Sequence, residues 1–173
     1  MNITGGKYKG IKIYSPDEKI VRPTLSKIRM SVFNSLFSEF SEFTQKRFLD
    51  MFGGSGIMGL EALSRGFKEV IVFEKDSRAA DIIRKNYEIL GVKAKLYIGN
   101  SLSLIKNQSE KFDVIYIDPP YKSGIYEECL SVLPECGIII IEHGYPINTN
   151  GFKIIKHKKF GSVNITFLKK NSL

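Results

Sequence analysis

The chain has 173 residues, of which 43% are hydrophobic, and it carries a net charge of +8 at pH 7. This length and composition predict one globular domain with its own core and exclude a disordered chain. No apolar run approaches the ~20 residues of a membrane span, and the first residues lack the apolar core of a signal peptide. We therefore expect a cytoplasmic protein without a membrane partner. The two histidines lie far apart and the two cysteines lack a metal-binding spacing, so no metal site is predicted.

The charge is distributed unevenly along the chain. Residues 1–49 carry +5, residues 50–149 carry −3, and residues 150–173 carry +6 from six lysines without an acidic residue. A mildly acidic middle between basic ends is typical of a small-molecule site whose rim faces a polyanion. Nucleic acid is therefore the leading partner, although solubility alone could account for a charge of this size. We assign the lysines of residues 7–12 and 153–159 only collectively to phosphate contacts.

The hydrophobic pattern predicts short strands that alternate with helices. Two short strands are expected within residues 3–13, before a helix at 25–37 with Thr24 as its N-cap. The later elements are expected as strands at 48–52, 70–73, 95–98, 114–117 and 138–141, helices at 57–65, 78–90, 102–106 and 124–133, and a hairpin at 152–157 and 163–168. This alternation predicts an α/β fold with a doubly wound parallel sheet. Such sheets bind ligands beyond the carboxyl ends of their strands, so we expect the site there.

A glycine-rich loop follows the first strand of this series. Gly54, Gly56 and Gly59 fit the dinucleotide fingerprint, and Glu74 lies twenty residues after Gly54, so NAD(P) is one candidate ligand. Asp50 argues against it, because a carboxylate at the end of the strand would repel a pyrophosphate. S-adenosylmethionine lacks phosphate and carries an ammonium and a sulfonium group, which an acid suits, while the helix start can take its carboxylate. We therefore favour S-adenosylmethionine as the cofactor.

The ends of the next two strands supply further cofactor-binding candidates. Glu74 can accept hydrogen bonds from both ribose hydroxyl groups of either cofactor. Asn100 and Ser101 can hydrogen-bond an adenine edge, although Asn100 could equally be a helix N-cap. We also assign Phe52 and Lys75, which adjoin the glycine loop and Glu74 in sequence, to the cofactor site.

Asp118-Pro119-Pro120-Tyr121 follows a buried-strand pattern. Two prolines cannot continue a strand, so the chain must leave the sheet in a fixed extended turn beside the cleft. Asp118 and the Pro119 carbonyl can accept hydrogen bonds from the exocyclic amino group of a base, while the Tyr121 ring stacks on the base. We assign these three residues to catalysis, and Asp118 to the cofactor site as well. A Pro-Pro turn with a solvent-facing Asp is the alternative.

Arg29 falls within the apolar stripe of the first predicted helix rather than opposite it. A buried charge without a partner is costly, so Arg29 should meet a carboxylate or an anionic ligand. A structural ion pair and a guanidinium that reaches water are open alternatives. Our hypothesis places Arg29, with Arg22 and Thr24, at the cleft entrance in contact with cofactor or RNA phosphate. Lys122 is assigned to substrate RNA as well.

The combined motifs resemble those of a known family. They are LDMFGGSG at 49–56, GLEALSRG at 59–66, DPPY at 118–121, ITGG at 3–6, KG at 9–10, RPT at 22–24, Arg29, and FNSL at 33–36. In this order they are similar to the class I methyltransferases and, more closely, to the bacterial 16S ribosomal RNA guanine-N2 methyltransferases of the RsmD type. The similarity covers essentially the whole chain.

This resemblance implies a Rossmann-like sheet of seven strands, the last one antiparallel, within a single methyltransferase domain. A short N-terminal hairpin and helix extension at 1–45 would precede a core at 46–173. The resemblance also implies S-adenosylmethionine as donor, and as acceptor the N2 amino group of a specific guanine in 16S ribosomal RNA, free or in a small-subunit assembly particle. No obligate protein partner is expected. The alternatives are an adenine-N6 methyltransferase of DNA or RNA, an NAD(P)-dependent oxidoreductase and a non-catalytic RNA-binding protein.

Overall fold

The computed structural model describes residues 1–15, 24–93, 95–120 and 125–171. Within these residues the strands are β1 Arg47–Asp50, β2 Glu69–Glu74, β3 Lys95–Ile98, β4 Phe112–Ile117, β5 Cys136–His143, β6 Phe152–Phe160 and β7 Val163–Lys170. The helices are α1 Ser26–Phe40, α2 Ile57–Ser64, α3 Ser77–Ile89, α4 Ser101–Lys106 and α5 Tyr126–Val132. None of the described helices combines the length and the apolar character that crossing a membrane requires.

The seven described strands form one mixed sheet in the order β3-β2-β1-β4-β5-β7-β6. The first five strands in this order are parallel, and β7 runs antiparallel to both β5 and β6. Each parallel connection passes through a helix, whereas β6 and β7 are joined by a tight turn and must therefore be antiparallel. The predicted α/β class, with seven strands and an antiparallel last strand, is confirmed.

Both faces of the sheet are covered, because the central strands are apolar on both sides. Alternate residues of β1, β2 and β4, such as Phe48, Val72 and Tyr116, pack against α1, α2 and α3 and the N-terminal segment. The intervening residues, such as Ile71 and Ile115, pack against α4 and α5. This arrangement is the one expected of a doubly wound sheet.

The N-terminal segment differs from the prediction in two respects. The two strands expected within residues 3–13 are replaced by one antiparallel bridge between Asn2 and Lys12. The predicted N-cap at Thr24 is wrong, because α1 begins after Leu25, which makes no side-chain cap. Thr24 is buried, and its carbonyl accepts a hydrogen bond from the Arg29 guanidinium.

The carboxyl ends of β1 to β5 lie at one edge of the sheet, which we call the carboxyl edge. The strand order reverses at this edge between β1 and β4, whose residues Asp50 and Tyr116 pair in register. A crevice forms outside a parallel sheet at such a reversal, because the two adjoining connections run over opposite faces. The fold therefore brings the ends of β1 and β4 together at the position where a ligand is expected.

Candidate active site

The glycine loop is fastened to the end of β2. The backbone N–H of Gly53 donates to the Phe73 carbonyl, and that of Gly54 donates to the Glu74 carboxylate, both at 2.8 Å. Gly54 and Gly56 have φ values of 57° and 76°, in the left-handed region that favours glycine. The loop thus turns the chain directly from β1 into α2.

Gly59, the third glycine of the fingerprint, is required by helix packing. A Cβ atom at this position would lie 2.3 Å from the hydroxyl oxygen of Tyr87, which projects from α3. Tyr87 is fully buried, and burial, with a smaller contribution from the Asp50 charge, raises the pKa of its hydroxyl well above the usual value. The fingerprint therefore reflects the close packing of α2 and α3 as well as the shape of the loop.

Asp50 is a buried carboxylate at the head of the loop. It is 1% exposed, and neither carboxylate oxygen has a hydrogen-bond partner of regular geometry. Burial raises the pKa of Asp50 to about 7 and the Glu74 charge adds to this, while the nearby amides of Phe52 and Gly59 oppose it. An unpartnered buried anion is costly, and a cationic ligand would offset that cost.

The other predicted cofactor residues divide into two groups. Glu74 lies half-buried at the carboxyl edge, and its two oxygens accept from the backbone N–H groups of Gly54 and Asp76, each at 2.8 Å. These bonds fix the carboxylate and leave further lone pairs for a ligand. Phe52 is half-buried and Lys75 exposed beside this site. Their contacts with a cofactor remain predictions.

Asn100 and Ser101 have structural roles in the described chain. The Asn100 side chain accepts a hydrogen bond from the Ser103 N–H at 3.1 Å and is the N-cap of α4. The Ser101 hydroxyl is buried and donates to the Met51 carbonyl at 2.7 Å. Ser101 therefore ties α4 to the chain after β1. Of the two, only Asn100 has an exposed side chain that an adenine edge could meet.

Asp118 follows β4 directly and is half-buried, between buried Ile117 and buried Pro119. Its charge acts on the neighbouring Tyr116 hydroxyl, which donates to Glu142 at 2.6 Å. Burial is the largest cause that raises the pKa of Tyr116 well above its usual value, followed by the charges of Glu142, Asp118 and Asp50. The ends of β1, β4 and β5 thus surround this hydroxyl with negative charge.

Glu142 and Tyr116 were not among the residues predicted from sequence. A signal was present, because Glu142 directly follows four isoleucines and an acidic residue at the end of a buried strand is unusual. The predicted residues Tyr121 and Lys122 lie outside the described residues, as does Arg22.

Arg29 lies in the core and not at a cleft entrance. It is 1% exposed, and its Nε atom donates to Glu61, itself fully buried, at 2.9 Å. Its terminal nitrogens donate to the carbonyls of Asn2, at 2.7 Å, and Thr24. The hypothesis that Arg29 contacts cofactor or RNA is therefore wrong, because this guanidinium is enclosed and joins α1 and the N-terminus to α2. Thr24, which is buried beside it, shares this correction.

The comparisons with known proteins agree with this geometry. A family model described as conserved hypothetical protein 95 matches residues 1–169. The chain belongs to this family, the RsmD-type methyltransferases. The ribosomal RNA small subunit methyltransferase D of Escherichia coli K12 is 28% identical over 94% of this chain and 86% of its own length. The protein of the same name from Haemophilus influenzae is 32% identical over 78% and 71%, respectively.

Solved structures share the fold of this RsmD-type chain. The yhhF protein of Escherichia coli has a TM-score of 0.83 at 26% identity, covering 100% of this chain and 99% of its own. A hypothetical protein of Thermus thermophilus, TTHA0928, has a TM-score of 0.82 at 27% identity, covering 98% and 99%. The full overlap includes the N-terminal extension and the β6–β7 hairpin, so both belong to the family fold.

Proposed function

We propose that this RsmD-type protein transfers a methyl group from S-adenosylmethionine to the exocyclic N2 amino group of a specific guanine in 16S ribosomal RNA. The substrate would be the RNA itself or a small-subunit assembly particle. The observation that carries the donor assignment is Asp50, a buried carboxylate at the head of the glycine loop with no hydrogen-bond partner of regular geometry among the described residues. The names of the curated relatives, ribosomal RNA small subunit methyltransferases, support small-subunit ribosomal RNA as the class of acceptor.

The chemistry of the residues present fits this donor. Asp50 suits an ammonium or sulfonium group and disfavours the pyrophosphate of NAD(P). Glu74 offers carboxylate lone pairs for the ribose hydroxyls, and the N-terminus of α2 offers N–H groups for the methionyl carboxylate. Phe52, Lys75 and Asn100 complete the proposed surface around the nucleoside. S-adenosylmethionine would supply an electrophilic methyl group on a positively charged sulfur.

Asp118 and Pro119 would prepare the acceptor nitrogen. The lone pair of the guanine amino group is delocalised into the ring, so this nitrogen is a weak nucleophile. In our proposal the Asp118 carboxylate and the Pro119 carbonyl each accept one amino hydrogen, which orients the lone pair toward the incoming methyl group. The methyl–sulfur bond breaks as the methyl–nitrogen bond forms, S-adenosylhomocysteine leaves, and the nitrogen releases one proton to Asp118 or to water. The negative charge at the ends of β1, β4 and β5 favours positive charge as it develops on the nitrogen. Holding both reactants in line supplies much of the rate enhancement.

Two further roles rest on the sequence motif alone. Tyr121 would stack on the guanine after it leaves its own stack, and Lys122 would contact an adjacent phosphate. Both residues directly follow the Asp118-Pro119-Pro120 turn in the chain. A flipped base that is held between a ring and a carboxylate cannot rotate freely. This restriction keeps its amino nitrogen in line with the methyl group and the sulfur, as the reaction requires.

The test uses purified protein, labelled S-adenosylmethionine and small ribosomal subunits from a bacterium that lacks its RsmD-type enzyme. Nucleoside mass spectrometry of the RNA should find N2-methylguanosine at one position. Labelled N6-methyladenosine would instead support the adenine alternative. Stabilisation by NADH and not by S-adenosylhomocysteine, measured as a shift in melting temperature, would refute the donor assignment.

A further inference from the structure

The carboxyl edge continues past Asp118 into a corner built from β5, β7 and β6. His143 at the end of β5 pairs with Asn164 of β7, which pairs with Lys159 of β6. We call Tyr145, His157, Lys159 and Asn164 the hairpin corner. Adjacent strands lie about 4.8 Å apart, so this corner begins one strand from β4 and ends about 14 Å from it. It therefore lies within a few nucleotides of the proposed acceptor position.

A directed chain of hydrogen bonds fixes the hairpin corner. His143 Nδ1 lies 2.7 Å from the Tyr145 carbonyl, which only accepts, so this nitrogen carries the proton. Burial lowers the pKa of His143, so its other nitrogen accepts from the Thr166 hydroxyl at 2.8 Å. The Thr166 oxygen in turn accepts from His157 Nδ1 at 3.0 Å. The corner is thus held in one arrangement without a bound partner.

Tyr145 presents an aromatic ring at this corner. Its backbone is held by His143, and its ring packs edge-on against Tyr126, with centroids 5.4 Å apart and planes at 68°. The side chain nevertheless remains 38% exposed. Tyr126 is the first residue of α5, the helix that follows the Asp118 turn. An exposed ring whose position is fixed from two sides can stack on a base with little loss of conformational entropy.

The β6–β7 hairpin places one lysine at this corner. Of its six lysines, three contact other parts of the fold: Lys158 with Ser31 at 2.8 Å, Lys169 with Glu39 at 3.4 Å, and Lys170 with the Leu133 carbonyl at 2.7 Å. The remaining Lys153, Lys156 and Lys159 pair with no carboxylate in the part of the chain that the structure describes. Of these three, only Lys159 lies in register with His143, through Asn164, whereas Lys156 pairs with Phe167 on the opposite face of the sheet. Lysines also protect an edge strand from pairing with other chains, which is the competing explanation.

The N-terminal lysines do not share this location. The Lys7 N–H donates to the carbonyl of Ser64, the last residue of α2. The helix α2 starts at the carboxyl edge after β1 and ends at the opposite edge of the sheet, where β2 begins. The two lysine groups that the sequence analysis assigned together to phosphate contacts therefore lie at different ends of the sheet. The hairpin group adjoins the carboxyl edge, whereas Lys7 lies across the sheet from it.

We propose that single-stranded RNA next to the target guanine lies across the hairpin corner, with one base stacked on Tyr145 and a phosphate bound by Lys159. This inference rests on the proposed function, because it identifies the surface by which that reaction holds its RNA. The partner is a polyanion with exposed bases, which matches an aromatic ring beside a lysine that pairs with no carboxylate among the described residues.

The test compares three variants with a matched control. The Tyr145→Ala, Tyr145→Phe and Lys159→Gln variants are titrated with a short fluorescent single-stranded RNA at several salt concentrations. The control, Lys85→Gln, removes the same charge from an exposed position near the end of α3. We expect Tyr145→Ala to weaken binding about 5- to 150-fold and Tyr145→Phe to retain it. Lys159→Gln should lower the magnitude of the slope of log K against log salt by about 0.7, and the control should change it little.

Two outcomes would overturn the inference. Equal loss in Lys159→Gln and in Lys85→Gln would indicate a general charge effect, and unchanged RNA binding with self-association of the Lys159 variant would indicate that this lysine protects the edge strand. In the methylation of small subunits, the Tyr145→Ala and Lys159→Gln variants should raise the KM for the RNA substrate. They should leave kcat and the affinity for S-adenosylhomocysteine unchanged. Oligonucleotide binding needs no methyl transfer, so wild-type protein that binds RNA through this corner but makes no N2-methylguanosine would reject the proposed reaction alone.

Discussion

The β1–β3 half of the sheet and the β6–β7 hairpin differ in whether their charged side chains have partners of opposite charge. In the first, charged groups meet partners within the fold: Arg47 and Lys95 both contact Glu69, and Arg29 is enclosed with Glu61. In the hairpin, five of the six lysines have no carboxylate partner among the described residues, and Lys169 contacts Glu39. In our proposal the first half holds fixed polar atoms around a small ligand, whereas the hairpin presents exposed cations to solvent.

This difference follows from the two proposed ligands. A small cationic donor is recognised by a few atoms at fixed distances, so its site depends on buried groups and on glycines with defined conformations. RNA is a long polyanion, and much of its affinity comes from the release of counterions by exposed lysines. Accordingly the donor half contains Asp50, a buried carboxylate with no hydrogen-bond partner of regular geometry among the described residues, while the hairpin contains exposed lysines that pair with no carboxylate in that part of the chain. The following predictions test that division.

The largest expected effect is on stability. Arg29→Leu removes one of the two guanidinium groups that pair with the fully buried Glu61, leaves Arg65 as the other, and removes the donor to the carbonyls of Asn2 and Thr24. It should lower the free energy of unfolding by about 3 kcal/mol, the lower end for breaking a buried ion pair. Urea denaturation measures this loss. Arg78→Leu, which removes an exposed guanidinium from the same half of the sheet, serves as control and should change stability little. A stable Arg29 variant with weakened RNA binding would show that the donor half also holds RNA.

Asp118→Ala should abolish most turnover without affecting donor binding. Loss of a preorganised acceptor of this kind lowers kcat by about 10²- to 10³-fold. Single-turnover methylation and calorimetric titration with S-adenosylhomocysteine measure the two quantities separately. Asp81→Ala, at an exposed position of α3, is the control. Near-normal turnover of the Asp118 variant would exclude this carboxylate as the key acceptor.

Asp50→Asn should weaken donor binding and stabilise the empty protein. Because the pKa of Asp50 is raised from 3.8 to about 7, the folded protein binds this proton more tightly than the unfolded chain does. The cost of ionisation therefore grows as pH rises from about 4 to 7 and is complete above pH 7. The variant avoids this cost, so it should gain on the order of 2–4 kcal/mol at pH 8 and less at pH 5.

Denaturation at both pH values, with and without S-adenosylhomocysteine, measures the two effects of Asp50→Asn together. Wild-type affinity for the donor should rise with pH toward 7, because the ionised carboxylate is the form that binds a cation. A variant that loses stability equally at both pH values, or keeps the pH dependence of binding, would contradict the role of Asp50.

The smallest effect concerns Tyr121, which precedes α5 in the chain. If its ring stacks on the guanine, Tyr121→Ala should cost about 1–3 kcal/mol in kcat/KM, and Tyr121→Phe should cost much less. Steady-state methylation of small subunits measures both. Equal losses would assign the role to the hydroxyl group, and no loss in either would remove Tyr121 from the site.

Local sequence patterns were sufficient for much of the fold. The alternation of apolar runs predicted β4 at 114–117 and the structure places it at Phe112–Ile117, because two prolines force the chain out of the sheet. The glycine loop could also be predicted from sequence, since Gly54 and Gly56 adopt backbone conformations that other residues rarely reach. Thr24 was misassigned as a cap because α1 begins one residue later, after Leu25, and a sequence pattern does not define the start of a helix to one residue.

Residues close together in the chain were enough to predict the class of fold, the family and the positions of Asp50 and Asp118 at strand ends. That Arg29 is an internal counter-ion became evident only in the folded molecule, since its partner Glu61 lies thirty-two residues away. Only the structure, likewise, placed Glu142 against Tyr116 and separated the hairpin lysines from Lys7. Burial and pairing are properties of groups that meet in space, and strand order, which local sequence does not encode, determines which groups meet.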